Sequence, residues 1–125
     1  MADVLKVLGQ ASLVDDTWTT IYTVPTAETS SLGIRTSFQT FISSIIVCNV
    51  HASTAFDYSI RVVPSADTPA VKHLIFNAVA LAGETTDLIT PGITLSEGDS
   101  IDVYALDAGS ADYLASFSVF GVETV

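Results

Sequence analysis

Residues 38–50 read Phe38-Gln-Thr-Phe-Ile-Ser-Ser-Ile-Ile-Val-Cys-Asn-Val50, and this stretch decides the fold class. Successive side chains of a β-strand point to opposite faces, so a strand with one face in water should alternate apolar and polar residues. Here a period of two puts apolar residues on both faces: Phe38, Ile42, Ile46, Cys48 and Val50 on one, and Phe41, Ile45 and Val47 on the other. We therefore expect a strand that is covered on both sides.

The second face of this strand needs a cover. The chain has 125 residues, which fits one domain with one core. Another copy of the same chain is the natural source of the missing layer. We therefore predict an assembling building block, in which four residues belong to the core or to the interface between subunits: Phe38, Phe41, Ile45 and Val47.

Strand-length segments separated by turn signals run along the rest of the chain. Residues 55–63 alternate cleanly, and segments 18–24, 100–106 and 113–125 follow the same period, with Trp18, Tyr22 and Val24 expected on one face. This pattern is typical of a two-sheet sandwich. We predict one all-β domain over residues 1–125, an antiparallel β-sandwich of about eight strands of jelly-roll or Ig-like type. Residues 1–10 would form an N-terminal arm that packs on its own domain or reaches a neighbour.

Residues 71–81 are the most ambiguous segment. The run Ala-Val-Ala-Leu-Ala at 78–82 would suit a helix. The β-rich neighbours and Gly83 favour a strand with an irregular end, and we predict a strand here.

The charge of the chain is strongly acidic, with 14 acidic residues against 4 basic ones and a net charge of −10. Neutralising phosphates requires several Lys or Arg side chains on one surface. Four basic residues are too few for such a surface, so we predict no nucleic-acid partner and no docking to membranes. We interpret the acidity as serving solubility in a chain whose composition is 49% hydrophobic. The alternatives are docking on a basic partner surface and a salty environment.

The cysteine content and the N-terminal residues bear on where the protein is made. Cys48 is the only cysteine, so no disulfide forms within one chain, and it is expected to be an inert buried thiol. Residues 1–3 do not begin a signal peptide, and no apolar stretch approaches the ~20 residues of a membrane helix. These features are typical of synthesis in a reducing cytoplasm.

Residues that could carry catalysis or bind a metal do not form a recognisable motif. His51 and His73 are the only histidines, and zinc needs three or four suitably spaced ligands. There is no Gly-x-Ser-x-Gly sequence to place a nucleophile. The Glu97-Gly98-Asp99 turn lacks the spacing of a calcium loop. We therefore predict no enzyme activity, no catalytic residues, no metal and no cofactor.

Aromatic residues leave a second interpretation open. Exposed together, they would form a platform on which sugar rings stack; at alternating strand positions they are more often core or interface anchors. The residues concerned are Trp18, Tyr22, Tyr58, Tyr104 and Tyr113.

Several short segments carry a resemblance that spans nearly the whole chain. In order they are Leu8-Gly9-Gln10, Ile21-Tyr22-Thr23-Val24-Pro25, Ile46-Val47-Cys48-Asn49, Gly92-Ile93-Thr94-Leu95 with Gly98-Asp99, and Phe120-Gly121-Val122-Glu123. Their order resembles that of small β-sandwich virion structural proteins of tailed bacteriophages. Such proteins occur as capsid decoration (cement) proteins and as tail or fibre components.

The resemblance implies a non-enzymatic, oligomeric, structural role without catalytic residues. We expect a protein that decorates and stabilises a phage capsid as a homo-oligomer, a trimer, at the capsid surface of the virion after synthesis in the host cytoplasm. Its partners would be its own copies and the major capsid protein, which the N-terminal arm, residues 26–35 or residues 107–112 would contact. The alternative is a tail-associated or fibre module that binds a host-surface glycan.

Overall fold

The computed structural model describes residues 5–13, 17–26, 28–29, 35–36, 38–50, 55–106 and 115–124. Strands dominate it, with one short 3₁₀ helix at Val71–His73. The strands are β1 Leu5–Leu13, β2 Thr19–Thr23, β3 Glu28–Thr29, β4 Arg35–Thr36, β5 Gln39–Asn49, β6 Phe56–Val63, β7 Leu74–Leu81, β8 Thr86–Ile89, β9 Ile93–Ser96, β10 Ser100–Leu106 and β11 Ala115–Thr124.

Two antiparallel sheets pack face to face. One has the order β1-β11-β5-β8, with β9 also paired to β5, and the other has the order β2-β10-β6-β7; β3 and β4 form a separate two-stranded ribbon. Strands β8 and β9 pair with successive parts of β5, so they act as one interrupted strand. The pairs β1–β11, β2–β10, β5 with β8 and β9, and β6–β7 are then nested, as in a jelly roll. The predicted β-sandwich is confirmed, and the connections are of the jelly-roll type.

The core lies between the two sheets. Strand β6 alternates as its sequence predicts, with Phe56, Tyr58 and Ile60 buried. Strand β11 does the same with Ala115, Phe117 and Val119. Of the ambiguous segment 71–81, Leu74–Leu81 form a strand as predicted, with an irregularity at the positive φ of Ala78. Its first three residues, Val71–His73, form the 3₁₀ helix instead.

A β-bulge in β5 changes which side chains share a face. The register passes from Ser44 opposite Phe120 to Ile42 opposite Gly121, so Ser43 is an extra residue. A bulge inserts one residue and thereby exchanges the faces beyond it. Ile42 therefore joins Ile45 and Val47 in the core, while Phe41 lies on the outer face with Ile46 and Cys48. The face assignment made from a strict period of two was wrong for Phe41 and Ile42.

Strand β2 contains a second bulge. Its partner register passes from Ile101–Tyr22 to Asp102–Thr20, which makes Ile21 the extra residue. Tyr22 and Val24 are buried in the core, whereas Trp18 packs against Tyr104 on the outer side of the sheet. The expectation that Trp18 shares a face with Tyr22 and Val24 was therefore wrong, for the same physical reason as in β5.

The N-terminal strand packs on its own chain. Strand β1 pairs with β11 along its whole length, with Leu5 opposite Val122 and Leu13 opposite Ala115. Gly9 allows this strand to approach the other sheet, because a Cβ at that position would lie 2.2 Å from the carbonyl oxygen of Ile21. The predicted arm covers residues 1–10, and its described part, residues 5–10, packs on its own domain.

A polar cluster sits between the sheets at one end of the sandwich. The hydroxyl of Tyr22 donates to Glu123 Oε2 at 2.7 Å and lies 2.8 Å from Thr40 Oγ1, and Lys6 forms an ion pair with Glu123. Lys6 and, after it, the Tyr22 hydroxyl hold the pKa of Glu123 below its ordinary value, against the opposing effect of burial. Burial, above all, raises the pKa of Tyr22.

The lowered pKa of Glu123 predicts a specific dependence of stability on pH. A carboxylate with a depressed pKa in the folded state stabilises the fold above its unfolded pKa, and this contribution is lost as pH falls through the folded value. We expect the difference in thermal midpoint between the natural protein and Glu123→Gln to be largest near neutral pH and to shrink below about pH 4.5. Thermal unfolding followed by circular dichroism from pH 7 to pH 3 measures it; a difference that stays constant over this range would contradict the prediction.

Candidate functional site

Among the described residues, no charged side chain lies on the outer side of the five-stranded sheet. Residues directly opposite each other on paired strands lie on the same face of a sheet. The register therefore assigns one set of outward residues, which we call the uncharged face: Leu5, Val7, Gln10, Ser12, Phe41, Ser44, Ile46, Cys48, Thr86, Leu88, Thr94, Ser116, Ser118, Phe120 and Val122.

Large apolar residues occupy one half of the uncharged face and lie in adjacent cross-strand rows. Leu5, Val122 and Phe41 form one row across three strands, and Val7 opposite Phe120 forms the next. The exposed fractions are large where the side chains have no cover: 65% for Leu5, 50% for Val7 and 43% for Phe41. Leu88, opposite Ile46, is 65% exposed and extends the apolar area to the far strand.

The charged residues of these same strands point the other way. The five strands contain three charged residues, Lys6, Asp87 and Glu123. Asp87 accepts a hydrogen bond from the buried Tyr58 hydroxyl at 2.8 Å, and Lys6 pairs with Glu123 at the end of the sandwich. A sheet with one face in water normally shows the opposite arrangement. Depletion of charge together with large apolar side chains is the composition of the centre of a protein–protein interface.

The size of the uncharged face suits an interface. About four strands at a spacing of 4.8 Å and about eight residues at 3.3 Å give a flat area of roughly 500 Å². A standard interface buries roughly 800 Å² on each partner. Since side-chain relief adds to the flat area, one partner can bury an amount of the required order here.

The four residues predicted from sequence for the core or interface have separate places. Ile45 and Val47 are fully buried within the chain, and Phe38 is partly buried and packs against the core. Phe41 alone lies on the uncharged face, so an interface that includes it stays a prediction. The sequence analysis did not assign five other residues to an outward apolar surface: Leu5, Val7, Leu88, Phe120 and Val122. For Phe120 and Val122 a signal was present, because uncharged residues alternate with core residues along 115–124.

The outer side of the four-stranded sheet has a different character, with charged and aromatic side chains in contact. Arg61 Nε donates to Asp102 Oδ2 at 2.8 Å, and Thr20 Oγ1 donates to Asp102 Oδ1 at 2.7 Å. The guanidinium carbon of Arg61 lies 4.0 Å from the centre of the Trp18 ring, and Trp18 contacts Tyr104 with ring centres 5.1 Å apart. A cation over an indole face is an attractive arrangement.

Comparison with solved structures gives a likeness in fold. A chain in the structure of infectious bursal disease virus, Gx strain, superposes with a TM-score of 0.53 and 11% identity, over 98% of this chain and 30% of that one. A chain in the Gt strain structure gives a TM-score of 0.47 and 9% identity, over 97% and 32%. The chain thus spans under a third of the length of the chains it matches. At such identity the likeness shows the fold alone.

Sequence comparisons identify no relative of the chain. No protein-family model matches it, and neither does any curated protein.

The aromatic platform considered from sequence does not form as a unit. Tyr22 and Tyr58 are buried, 8% and 2% exposed, because their strand positions face the core. Trp18 and Tyr104 do meet on the outer side of the other sheet, and Tyr113 lies outside the described residues.

Histidine and carboxylate groups serve local structure in the part of the chain that the structure describes. The Ala70 N–H donates to Nδ1 of His73 at 3.0 Å, and Nε2 lies 3.1 Å from Asp67 Oδ2. Asp99 accepts one hydrogen bond from the Ser96 N–H within the turn and one from the Ser65 N–H in the loop after β6, both at 2.9 Å. No group of three or more potential metal ligands occurs among the described residues.

Some residues singled out in the sequence lie wholly or partly outside the described residues. His51 and residues 107–112 lie outside the described residues, and of residues 26–35 the structure gives the pairing of β3 with β4. Among the described residues, no helix has the length and apolar character required to cross a membrane.

Proposed function

We propose that this protein is a non-enzymatic virion structural protein that decorates and stabilises a phage capsid as a homo-oligomer. The observation that carries the proposal is the uncharged face, because a chain with a net charge of −10 has no charged side chain among the described residues of that face. Two further findings support it. The jelly roll is a common architecture of viral capsid domains, and the likeness in fold is to a chain in a virus structure. These two are arguments by analogy.

The proposed mechanism is additive burial at many identical contacts. Copies of the chain cover one another's apolar rows, and closed cyclic symmetry gives each copy the same contacts. A trimer suits the threefold positions of an icosahedral shell, where polar parts of the chain contact the major capsid protein. Since binding to the closed shell stabilises that state over the opened one, each bound oligomer raises the heat or force needed to open the particle.

A charge placed on the uncharged face is expected to break the oligomer. Leu88→Asp would bury an unpaired carboxylate at the interface, and we expect self-association about 100-fold weaker or more. Sedimentation velocity from low to high micromolar concentration measures it. Leu106→Asp is the matched control, because Leu106 is also exposed, at 46%, but belongs to the other sheet. A natural protein that stays monomeric at high micromolar concentration would contradict self-association through this face.

The capsid role has its own test. Expanded shells that lack the protein should take up the natural protein in a fixed ratio to the capsid subunits, and their opening temperature should rise. Leu106→Asp should behave like the natural protein, and Leu88→Asp should bind weakly. If none of the proteins binds shells, while antibody labelling finds the chain on the tail, the decoration role is wrong.

A further inference from the structure

Arg61 presents hydrogen-bond donors that the described part of the chain does not use. An arginine side chain has five N–H donors in a planar fork. Nε bonds to Asp102, and the guanidinium lies over Trp18; the two terminal nitrogens, which carry four of the donors, have no acceptor within the described residues. The side chain is only 16% exposed, so this fork is mostly shielded from water.

The orientation of Arg61 is fixed before any ligand arrives. The Asp102 side chain is 7% exposed and is itself held by the hydroxyl of Thr20 at 2.7 Å. The Trp18 ring packs against the face of the guanidinium group. A fork held in this way loses little freedom on binding, which favours affinity.

A small cavity lies beside the fork. Its walls are Trp18, Arg61, Ala70, Val71 and Leu74, and its volume is about 270 Å³. Apart from the guanidinium, the wall is made of aliphatic side chains and the indole. Ligand pockets for drug-sized molecules begin at about 300 Å³, so this cavity suits one compact ring at most.

We propose that this pocket binds one carboxylate-bearing sugar residue, of the uronic acid type, from a surface polysaccharide. The guanidinium fork can donate two parallel hydrogen bonds to a carboxylate. The face of the sugar ring that carries C–H groups would pack on Val71 and Leu74. An Asp or Glu side chain of a protein partner is a narrow group that would leave the apolar walls unfilled. The site is on the sheet opposite the uncharged face, so it stays open when that face is covered, and its function does not depend on the capsid role.

The overall negative charge does not prevent binding of such a ligand. At physiological ionic strength, charges separated by more than about 8 Å are largely screened. Among the described residues, the carboxylate that contacts Arg61 is that of Asp102, and it is already paired with the guanidinium. The short-range hydrogen bonds of the fork therefore decide binding.

Titration of the full chain with glucuronate, followed by NMR, tests the proposal. We expect saturable shifts of signals from residues around Arg61, and binding at least 10-fold weaker for glucose, which lacks the carboxylate, and for acetate, which lacks the ring. Arg61→Lys keeps the charge but loses the fork, and should weaken glucuronate binding about 10-fold or more.

A second variant keeps the test independent of folding. Val71 is 82% exposed at the rim, so Val71→Asp should fold normally yet repel the carboxylate and abolish binding, whereas Leu106→Asp adds the same charge elsewhere and should not. Glucuronate binding no better than glucose or acetate would overturn the proposal. So would tighter binding of Gly-Gly-Val, whose free carboxylate would make this a peptide site.

Discussion

Phe117→Ala is expected to lower the free energy of unfolding by about 3–5 kcal/mol. The Phe117 ring is fully buried between the sheets and meets Tyr58 edge to face, with ring centres 6.3 Å apart and planes at 76°. Its neighbours in register, Ala11 and Val47, leave it in the middle of the five-stranded sheet. Removing the ring opens a cavity, and Ala11 and Val47 cannot move in to fill it because strand pairing holds their backbone. The protein therefore loses both the hydrophobic free energy of burying the ring and the packing contacts that the ring makes.

Phe120→Ala is the matched control for this prediction. Phe120 belongs to the same strand but faces outward, on the uncharged face. We expect Phe117→Ala to destabilise the chain by the same amount at any protein concentration. In the proposed oligomer Phe120 would lie at the interface between copies, so the effect of Phe120→Ala should grow with protein concentration. Equal effects of the two substitutions in urea titrations at low concentration would contradict this placement of the core.

Gly121→Ala is the second substitution with a large expected effect, a loss of about 3 kcal/mol or more in the free energy of unfolding. A Cβ at Gly121 would lie 2.1 Å from the carbonyl oxygen of Phe41 and 3.0 Å from Leu8 Cδ1. The first of these contacts is with backbone, in the part of β5 that precedes the bulge at Ser43, so no side chain can move aside. The central pairing of β5 with β11 would have to separate.

Gly92→Ala separates steric clash from backbone strain. Gly92 has a φ of +60°, and nothing lies within 4 Å of a Cβ built there. Only the left-handed conformation opposes alanine at this position, at a cost of about 1–2 kcal/mol. Urea titrations of both variants measure the difference; a Gly121→Ala protein as stable as Gly92→Ala would show that β5 and β11 are not packed as described.

Alternation in the sequence predicts much of this fold because most strands have one buried face. Residues 56–61 and 115–121 largely follow the rule, with Phe56, Tyr58 and Ile60 buried in the first and Ala115, Phe117 and Val119 in the second. The departures in the first strand are the buried Ser59 and Val63 and the only partly buried Val62. The bulges at Ser43 and Ile21 could not be read in this way. Each bulge inserts one residue that has no distinctive sequence signal. An assignment by strict alternation therefore continues past it, although the side chains beyond the bulge point to the opposite face. Those two residues account for the wrong placement of Phe41, Ile42 and Trp18.

The candidate sites depend on partners that are distant in sequence. Residues 38–50 indicated that a second face needs a cover, but the rest of the uncharged face comes from strands at both ends of the chain, whose neighbours are set by topology. The contact between Trp18 and Arg61 likewise requires the register of β10 against β2 and β6, and a bulge that no sequence pattern marks.

The nested pairing of the strands constrains the order in which the chain can fold. Strands β6 and β7 are neighbours in sequence and close a short loop, whereas β1 and β11 stand at opposite ends of the chain. Loop-closure entropy favours the local hairpin first and the distant pairs later. Because β11 sits between β1 and β5, a nascent chain on the ribosome cannot complete this sheet until synthesis has passed Thr124. Before then β1 lacks its pairing partner β11. Its apolar side chains, Leu5 and Val7, stay accessible to chaperones or to aggregation.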